Sequence, residues 1–374
     1  MNKKLKQRIE TIWNLARGIG RNIKLMEVCG THTMTAFRSG LRPLLPANVE
    51  LLSGPGCPIC VTPASYIDHA IEIAKIKNTV IVTFGDMLRV PGTLSSLETI
   101  KAQGGDIRVI YSPDDALEMA LQDKSKRVVF LGIGFETTAP AVAWSIKIAA
   151  KRLMDNFAVL CANKTIPHAM KALVEDPEDP GIDGFMCPGH VSVVTGSDIY
   201  QFLARDFGIP CVVSGFETAD MIISIEMLLK QIAENRSCVE IQYTRSVNGS
   251  GNRLAQEIIT EVFQECTVKW RGLGAIPRSG LRIREAFSAH DAARLFQDCR
   301  LPKPVKGTGC ICGKILRGSK KPYDCTLFSK KCTPANPIGA CMVSSEGTCA
   351  AYYRYAHSRL TEELSSIDKG SSSG

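Results

Sequence analysis

No stretch of the 374 residues approaches the ~18 consecutive apolar side chains that a membrane-spanning helix needs. The opening segment, MNKKLKQRIETIWNLARGIG, is polar and helix-forming and lacks the apolar core of a secretory leader. Basic tracts interleaved with aromatics are missing too. The 45 Lys and Arg are scattered among 37 Asp and Glu, for a formal charge of only +8, which is the pattern of a solvated surface. No Gly-x-x-x-x-Gly-Lys-Ser/Thr loop is present, so any ATP use would need a different kind of site. These absences predict a cytoplasmic protein that engages neither membrane nor nucleic acid. In that reducing compartment the 15 cysteines are poorly explained as a disulfide framework; catalytic thiols or a metal cluster account for them better.

The cysteines fall into patterns. Gly54-Pro55-Gly56-Cys57-Pro58-Ile59-Cys60-Val61-Thr62-Pro63 holds a Cys-x-x-Cys pair after a glycine-rich turn. Thr62 is suited to cap a helix and Pro63 to its first position, with Tyr66, Ile67, Ala70, Ile71 and Ala74 as the apolar stripe. Cys60 is then expected beside a helix N-terminus, where the thiolate is favoured. Dithiol chemistry or metal handling is one reading, and a zinc half-site or two buried thiols is the other. Cys29-Gly30-Thr31-His32 places a thiol and an imidazole within one turn, where a strand hands over to a helix. With Cys57 and Cys60 in one cleft, three thiols and His32 would suit a soft metal with an open position. Cys161, Cys238, Cys266 and Cys299 lack motif context and read as small buried hydrophobes, while Cys187 and Cys211 stay ambiguous. His168 reads as a structural histidine, and His190 in Cys187-Pro188-Gly189-His190 as a residue lining the cleft.

Cys310, Cys312, Cys325, Cys332, Cys341 and Cys349 form a dense C-terminal array. The paired knuckles of zinc ribbons and the ferredoxin run C-x₂-C-x₂-C-x₃-C are both absent. A Cys-x-Cys opening and a surplus over four ligands fit a [4Fe–4S] cluster with a neighbouring redox-active pair; structural zinc is the alternative.

The first two thirds of the chain alternate β-branched runs with amphipathic helices, the pattern of an α/β protein with parallel sheets. Strands are expected at 24–28, 49–52, 80–84 and 107–111, then at 127–132, 157–161, 184–187 and 211–214. The charged segment 123–127 reads as a seam between two diverged copies. Gly134-Phe135-Glu136-Thr137 and Gly215-Phe216-Glu217-Thr218 both follow a strand, and the repeated Glu136 and Glu217 read as functional. The expected division is residues 1–125 as a first α/β domain and 126–236 as a second, related one. A connecting segment follows over 237–300, with strands at 239–245 and 268–270 around a helix at 254–264. Residues 301–374 form an irregular cysteine-rich domain whose Gly370–Gly374 end is a flexible tail.

Together these motifs closely resemble the hydrogenase maturation factor HypD family. The matching stretches are Cys29–His32, Gly54–Pro63, Phe84–Gly92, Gly134–Pro140, Cys187–Gly196 and Gly309–Tyr353. The resemblance implies two related α/β domains around a cleft and a small third domain with a [4Fe–4S] cluster. It implies work with a small partner, HypC, to build the Fe(CN)2CO unit of [NiFe]-hydrogenases, with HypE supplying cyanide equivalents to a chain that is monomeric on its own. Cys29 would bind the iron jointly with a partner thiolate, with Cys57 and Cys60 as essential thiols beside it. Cys310, Cys325, Cys332 and Cys349 would hold the cluster, leaving Cys312 and Cys341 as a redox pair, a partition that follows the family's likeness to ferredoxin–thioredoxin reductase sites. Glu136, Glu217 and His190 would supply protons or polarise a bound ligand. The competing classes are a stand-alone iron–sulfur thiol/disulfide oxidoreductase and a structural metalloprotein that scaffolds partners.

Overall fold

A computed structural model describes residues 3–178, 180–303 and 308–356. In chain order the strands are β1 (Ile23–Glu27), β2 (Val49–Ser53), β3 (Thr79–Thr83), β4 (Ile107–Val109), β5 (Arg127–Gly132) and β6 (Phe157–Cys161). They continue as β7 (Gly184–Pro188), β8 (Cys211–Ser214), β9 (Val239–Ile241), β10 (Phe263–Trp270) and β11 (Gly274–Ile283). Two parallel sheets result, one ordered β2-β1-β7-β8-β9 and the other β4-β3-β5-β6, with β10 and β11 as a separate antiparallel hairpin.

The fold is α/β with helices between parallel strands, and both faces of each sheet are covered, as the β-branched runs require. In the four-stranded sheet Val80, Val82, Val128 and Phe130 face one core with Ala116, Val142 and Ile146. Ile81, Val129 and Leu131 face the opposite core with Ile67, Ala70 and Ile71. The five-stranded sheet repeats the alternation. Leu25, Leu51 and Met186 pack beneath the helices Lys3–Ile19 and Thr218–Ala233. Met26, Leu52, Phe185 and Val213 face a core shared with Trp270 of the hairpin and Cys312, Cys325, Cys332, Cys341 and Cys349. The cysteine-rich segment is thus packed on a sheet face. It has little regular structure, chiefly the short helices Cys312–Leu316 and Thr348–Ala351.

Sheet pairing divides the chain differently from the boundaries read in the sequence. β3 pairs with β5 from Thr79↔Arg127 to Val82↔Phe130, so the 125/126 seam falls inside one sheet. β1 pairs with β7, and the five-stranded sheet runs on through β9, past the boundary at 236. The four-stranded sheet is therefore an insertion between β2 and β7. The motifs after β2 and β7 lie on one sheet and not on two copies. Local periodicity gives the strands but not their order, which the long-range pairing decides. β11 also escapes sequence reading, because Pro277 and the left-handed Arg278 (φ 55°) interrupt it. Segment 357–374, with the Gly370–Gly374 tail, lies outside the described residues.

Candidate functional site

Parallel sheets place ligands at the carboxyl ends of their strands, where neighbouring connections leave in opposite directions. In the five-stranded sheet that point lies between β1 and β7. Cys29 follows β1 and caps the helix Gly30–Arg38, and His190 follows β7 at the start of the helix Gly189–Thr195. Gly54–Cys57 follows β2 and Gly215–Thr218 follows β8, so four of the singled-out motifs line the same edge.

Glycines let these loops touch. The Gly54 N–H donates to the Glu27 carbonyl at 2.8 Å, and the Gly30 N–H to the Gly56 carbonyl at 3.1 Å. A Cβ on Gly56 would collide with the Cys29 backbone, so only glycine allows this approach. Glu27, wholly buried beneath the loop, accepts from Ser53 Oγ at 2.6 Å and Arg42 Nη2 at 3.0 Å. Burial raises its carboxyl above the ordinary range, and the Arg42 charge opposes the rise. Arg42 also lies 4.6 Å over the Phe37 ring and 5.8 Å over that of Tyr352, tying this network to the C-terminal segment.

Glu346, which no motif singled out, reaches the same place from the C-terminal segment. Its Oε1 accepts from Thr31 Oγ1 at 2.8 Å, and its backbone packs where a Gly30 side chain would stand. Its charge acts on both the Cys29 thiol and the His190 imidazole. Cys29 is half-buried, and burial, reinforced by Glu346, pushes its thiol up to about 11. Such a thiol keeps its proton at neutral pH. The one available sequence signal for Glu346 was an acidic residue isolated in the charge-poor run from Ile338 to Ala351.

His32 lies behind this centre. Its Nε2 is 2.9 Å from the Gly215 carbonyl, which can only accept, so Nε2 carries the proton. Burial holds the ring neutral, down to about 4, and Nδ1 has no partner among the described residues. His32 and His190 both stack on Phe216, with centroids 5.0 and 3.8 Å away.

Cys57 and Cys60 form a disulfide and are both buried. The helix start differs from the expected one. Cys57 itself caps the short helix Pro58–Val61, its sulfur accepting from the Cys60 N–H at 3.3 Å. Thr62 ends that helix, donating to the Pro58 carbonyl at 2.9 Å, and Pro63 precedes the next helix, Ala64–Ala74. A proline at 58 starts one turn and a proline at 63 starts another. Cys60 therefore sits in the first turn of the short helix and not at the start of the longer one.

All six C-terminal cysteines, Cys310, Cys312, Cys325, Cys332, Cys341 and Cys349, line one enclosed apolar cavity. The Ile338 N–H donates to Cys332 Sγ at 3.3 Å, and a Cβ on Gly339 would stand 2.9 Å from Cys310 Sγ. The neighbouring Cys312 raises the Cys310 thiol, and burial raises Cys341 and Cys349. Among the described residues no three His, Cys, Asp or Glu side chains are arranged to hold a single metal ion.

The glutamates part company with the cysteines. Glu136 is buried along a separate cavity of about 700 Å³, which the half-buried His168 also lines; Oε1 accepts from the Ile166 N–H at 2.9 Å. Burial pushes its carboxyl up to about 7. Glu217 caps the helix Thr218–Ala233, its N–H donating to Asp220 Oδ2 at 3.3 Å. Cys161, Cys238, Cys266 and Cys299 are half-buried, less enclosed than their lack of motif suggested.

The family model described as "Hydrogenase formation hypA family", under the heading HypD, matches residues 2–356. The chain belongs to the HypD family. Hydrogenase maturation factor HypD of Rhodobacter capsulatus is 46% identical over 344 residues, 91% of each chain. The Escherichia coli (strain K12) protein of the same description is 45% identical over 339 residues, 90% of each chain. Hydrogenase expression/formation protein HupD of Azotobacter chroococcum mcd 1 is 46% identical over 347 residues, again 91% of each. The HypD resemblance read from the motifs thus extends over the chain. Among the described residues no helix is long and apolar enough to cross a membrane.

Proposed function

We propose that this HypD-family chain is an assembly scaffold with redox chemistry, on which the Fe(CN)2CO group of a [NiFe]-hydrogenase is built. A HypC-type protein would share the iron, and a HypE-type protein would deliver cyanide equivalents. The observation that carries the reading is the convergence of Cys29, His190 and Glu346 at the switch point of the five-stranded sheet, directly against the segment bearing the cysteine array.

Cys29 offers one soft donor to iron, and the partner's thiolate would supply a second. Thr31 and Glu346 fix the loop that presents Cys29. His32 keeps its proton on Nε2 against the Gly215 carbonyl, which leaves Nδ1 as a hydrogen-bond acceptor. His190, exposed at the rim, is the group best placed to move a proton to an incoming ligand. Glu136 and Glu217 take no part, since the first lies along another cavity and the second is a helix cap.

The array suits a [4Fe–4S] cluster in the softness of its donors, in its apolar enclosure and in the amide hydrogen bond to Cys332. Cys310, Cys325, Cys332 and Cys349 would hold it, with Cys312 and Cys341 as the adjoining pair. When bound, such a cluster supplies single electrons. The chain's own contribution is to exclude water there and to set Cys341 against the helix that carries Cys57 and Cys60.

Anaerobic co-purification with a HypC-type partner, followed by infrared spectroscopy, tests the reading. Bands of metal-bound CN and CO support it. Their absence under hydrogenase-inducing conditions, with the cluster present, favours the stand-alone oxidoreductase.

A further inference from the structure

The hairpin of β10 and β11 turns at Trp270-Arg271-Gly272-Leu273-Gly274, and that turn stands between the two thiol groups. The Arg271 backbone N–H donates to the Val61 carbonyl at 2.8 Å. Its Nε donates to the Thr62 carbonyl at 2.7 Å and its Nη2 to the Pro91 carbonyl at 2.8 Å. Val61 and Thr62 directly follow Cys60, so one arginine fixes the end of the helix that carries the pair.

On its other side the turn presses on the array. Gly272 adopts φ +81°, and a Cβ there would lie 2.6 Å from Gly313 Cα and 3.5 Å from Cys312 Sγ. The Gly272 carbonyl accepts from Arg317 Nη1 at 2.8 Å. Trp270 anchors the base of the hairpin: it is buried, stacks on Phe135 with centroids 5.9 Å apart, and donates to Ser279 Oγ at 2.8 Å. Among the described residues Arg271 makes no ion pair, so its charge is not neutralised by a carboxylate in contact. That charge acts on Cys312, Cys341 and Cys310 and, less strongly, on the Asp68 carboxylate. A half-buried guanidinium whose hydrogen bonds go to carbonyls only is a fixed positive charge near the array sulfurs.

We propose that Arg271 is a positioning residue that couples the Cys57–Cys60 pair to the cysteine array, fixing the pair's helix and biasing both thiol groups toward their reduced, more negative forms. The proposal rests on the reading above, in which the array holds an iron–sulfur cluster and the pair is redox-active. Reduction of a [4Fe–4S] centre adds one negative charge beside the guanidinium. Reduction of the Cys57–Cys60 disulfide breaks one S–S bond, takes up two electrons and two protons, and leaves two thiols whose ionised forms the same charge favours. Lysine would keep the charge but not the planar fork that reaches the Thr62 and Pro91 carbonyls together.

The test compares wild type, Arg271→Gln and Arg271→Lys as anaerobically purified full chains of matched iron and sulfide content. Two readouts are taken: the cluster midpoint from a dithionite titration followed by absorbance, and the Cys57–Cys60 dithiol/disulfide equilibrium against dithiothreitol from mass spectra of alkylated peptides. Arg271→Gln should favour the oxidised cluster about tenfold, a midpoint about 59 mV lower for one electron, and favour the disulfide several-fold. Arg271→Lys should restore the cluster midpoint but not the pair's equilibrium. Both quantities unchanged in Arg271→Gln would overturn the proposal, as would full restoration of both by lysine. If the wild type itself binds no iron and sulfide, the cluster reading fails, and the pair's equilibrium alone decides the role of Arg271. A Gln variant that alone loses the cluster is judged on that same equilibrium, with Lys as the folded comparison.

Discussion

Replacing Gly56 by Ala puts one methyl group into the contact that positions Cys29. The added carbon would overlap the backbone N and Cα of Cys29, which cannot swing aside as a side-chain tip would. Overpacking of this kind costs about 1–3 kcal/mol. The separating loops would also weaken the 3.1 Å bond from the Gly30 N–H to the Gly56 carbonyl, about 1 kcal/mol more. A total of about 2–4 kcal/mol should lower the thermal midpoint by roughly 3–5 °C in a chain of this size. Opening the contact should also hydrate Cys29. Each unit by which its thiol falls from about 11 multiplies the thiolate present at pH 8 by ten. Cys29 alkylation, followed by peptide mass spectrometry, should accelerate by at least about tenfold. Gly18→Ala is the control: the helix Lys3–Ile19 leaves open space there, so it should be neutral or stabilising by up to about 1 kcal/mol. A Gly56→Ala protein that melts like Gly18→Ala and alkylates at the wild-type rate would show that Gly56 does not hold Cys29.

Three further outcomes are expected. Burial raises the Glu136 carboxyl to about 7, so the native state keeps a proton that the unfolded chain releases near ~4.3. Its effect on stability is absent below that lower value and becomes more unfavourable up to about pH 7, reaching on the order of 3 kcal/mol. Glu136→Gln, whose amide oxygen can still accept from Ile166, should therefore gain stability over wild type between pH 5.5 and pH 8 in thermal melts, and parallel profiles would count against a buried, protonated carboxyl. Cys332→Ala should lose iron and sulfide in anaerobic analysis, because its sulfur lines the array cavity; undiminished content would remove it from the ligand set. Cys29→Ala should abolish the infrared bands of the co-purified complex while leaving the dithionite-bleachable absorption intact, and bleaching of the latter would mean that the two centres are one.

The cysteines that the fold gathers were legible because each sits in a local pattern: a turn, a strand end, a dense cluster. Strands with unbroken β-branched runs, such as β3 and β5, were legible for the same reason. Helix starts were read less well, since Pro58 and Pro63 are both good first-turn residues and only the folded backbone shows which cysteine caps which turn. Topology was not legible, because the pairing of β1 with β7 leaves no local trace. Glu346 and Arg271 were missed because a lone charged residue acquires meaning only from what the fold sets against it. The repeated Gly-Phe-Glu-Thr misled in the opposite way. Two similar turns serve helix geometry, and their glutamates end in unrelated surroundings.

The insertion of one sheet within another also governs the order in which the chain can mature. β1 and β2 emerge early, yet β1 obtains its second neighbour only when Gly184–Pro188 has been made and the intervening sheet has closed. Closing so long a loop is slow, because the chain entropy is lost before the non-local contacts form. Until then Cys29 has neither the end of β7 beside its strand nor Glu346 across from it. A nascent chain therefore exposes its Cys-Gly-Thr-His segment without the surroundings that hold the thiol protonated. The topology acts as a timing device, in which the surroundings of Cys29 are complete only after nearly the whole polypeptide is in place.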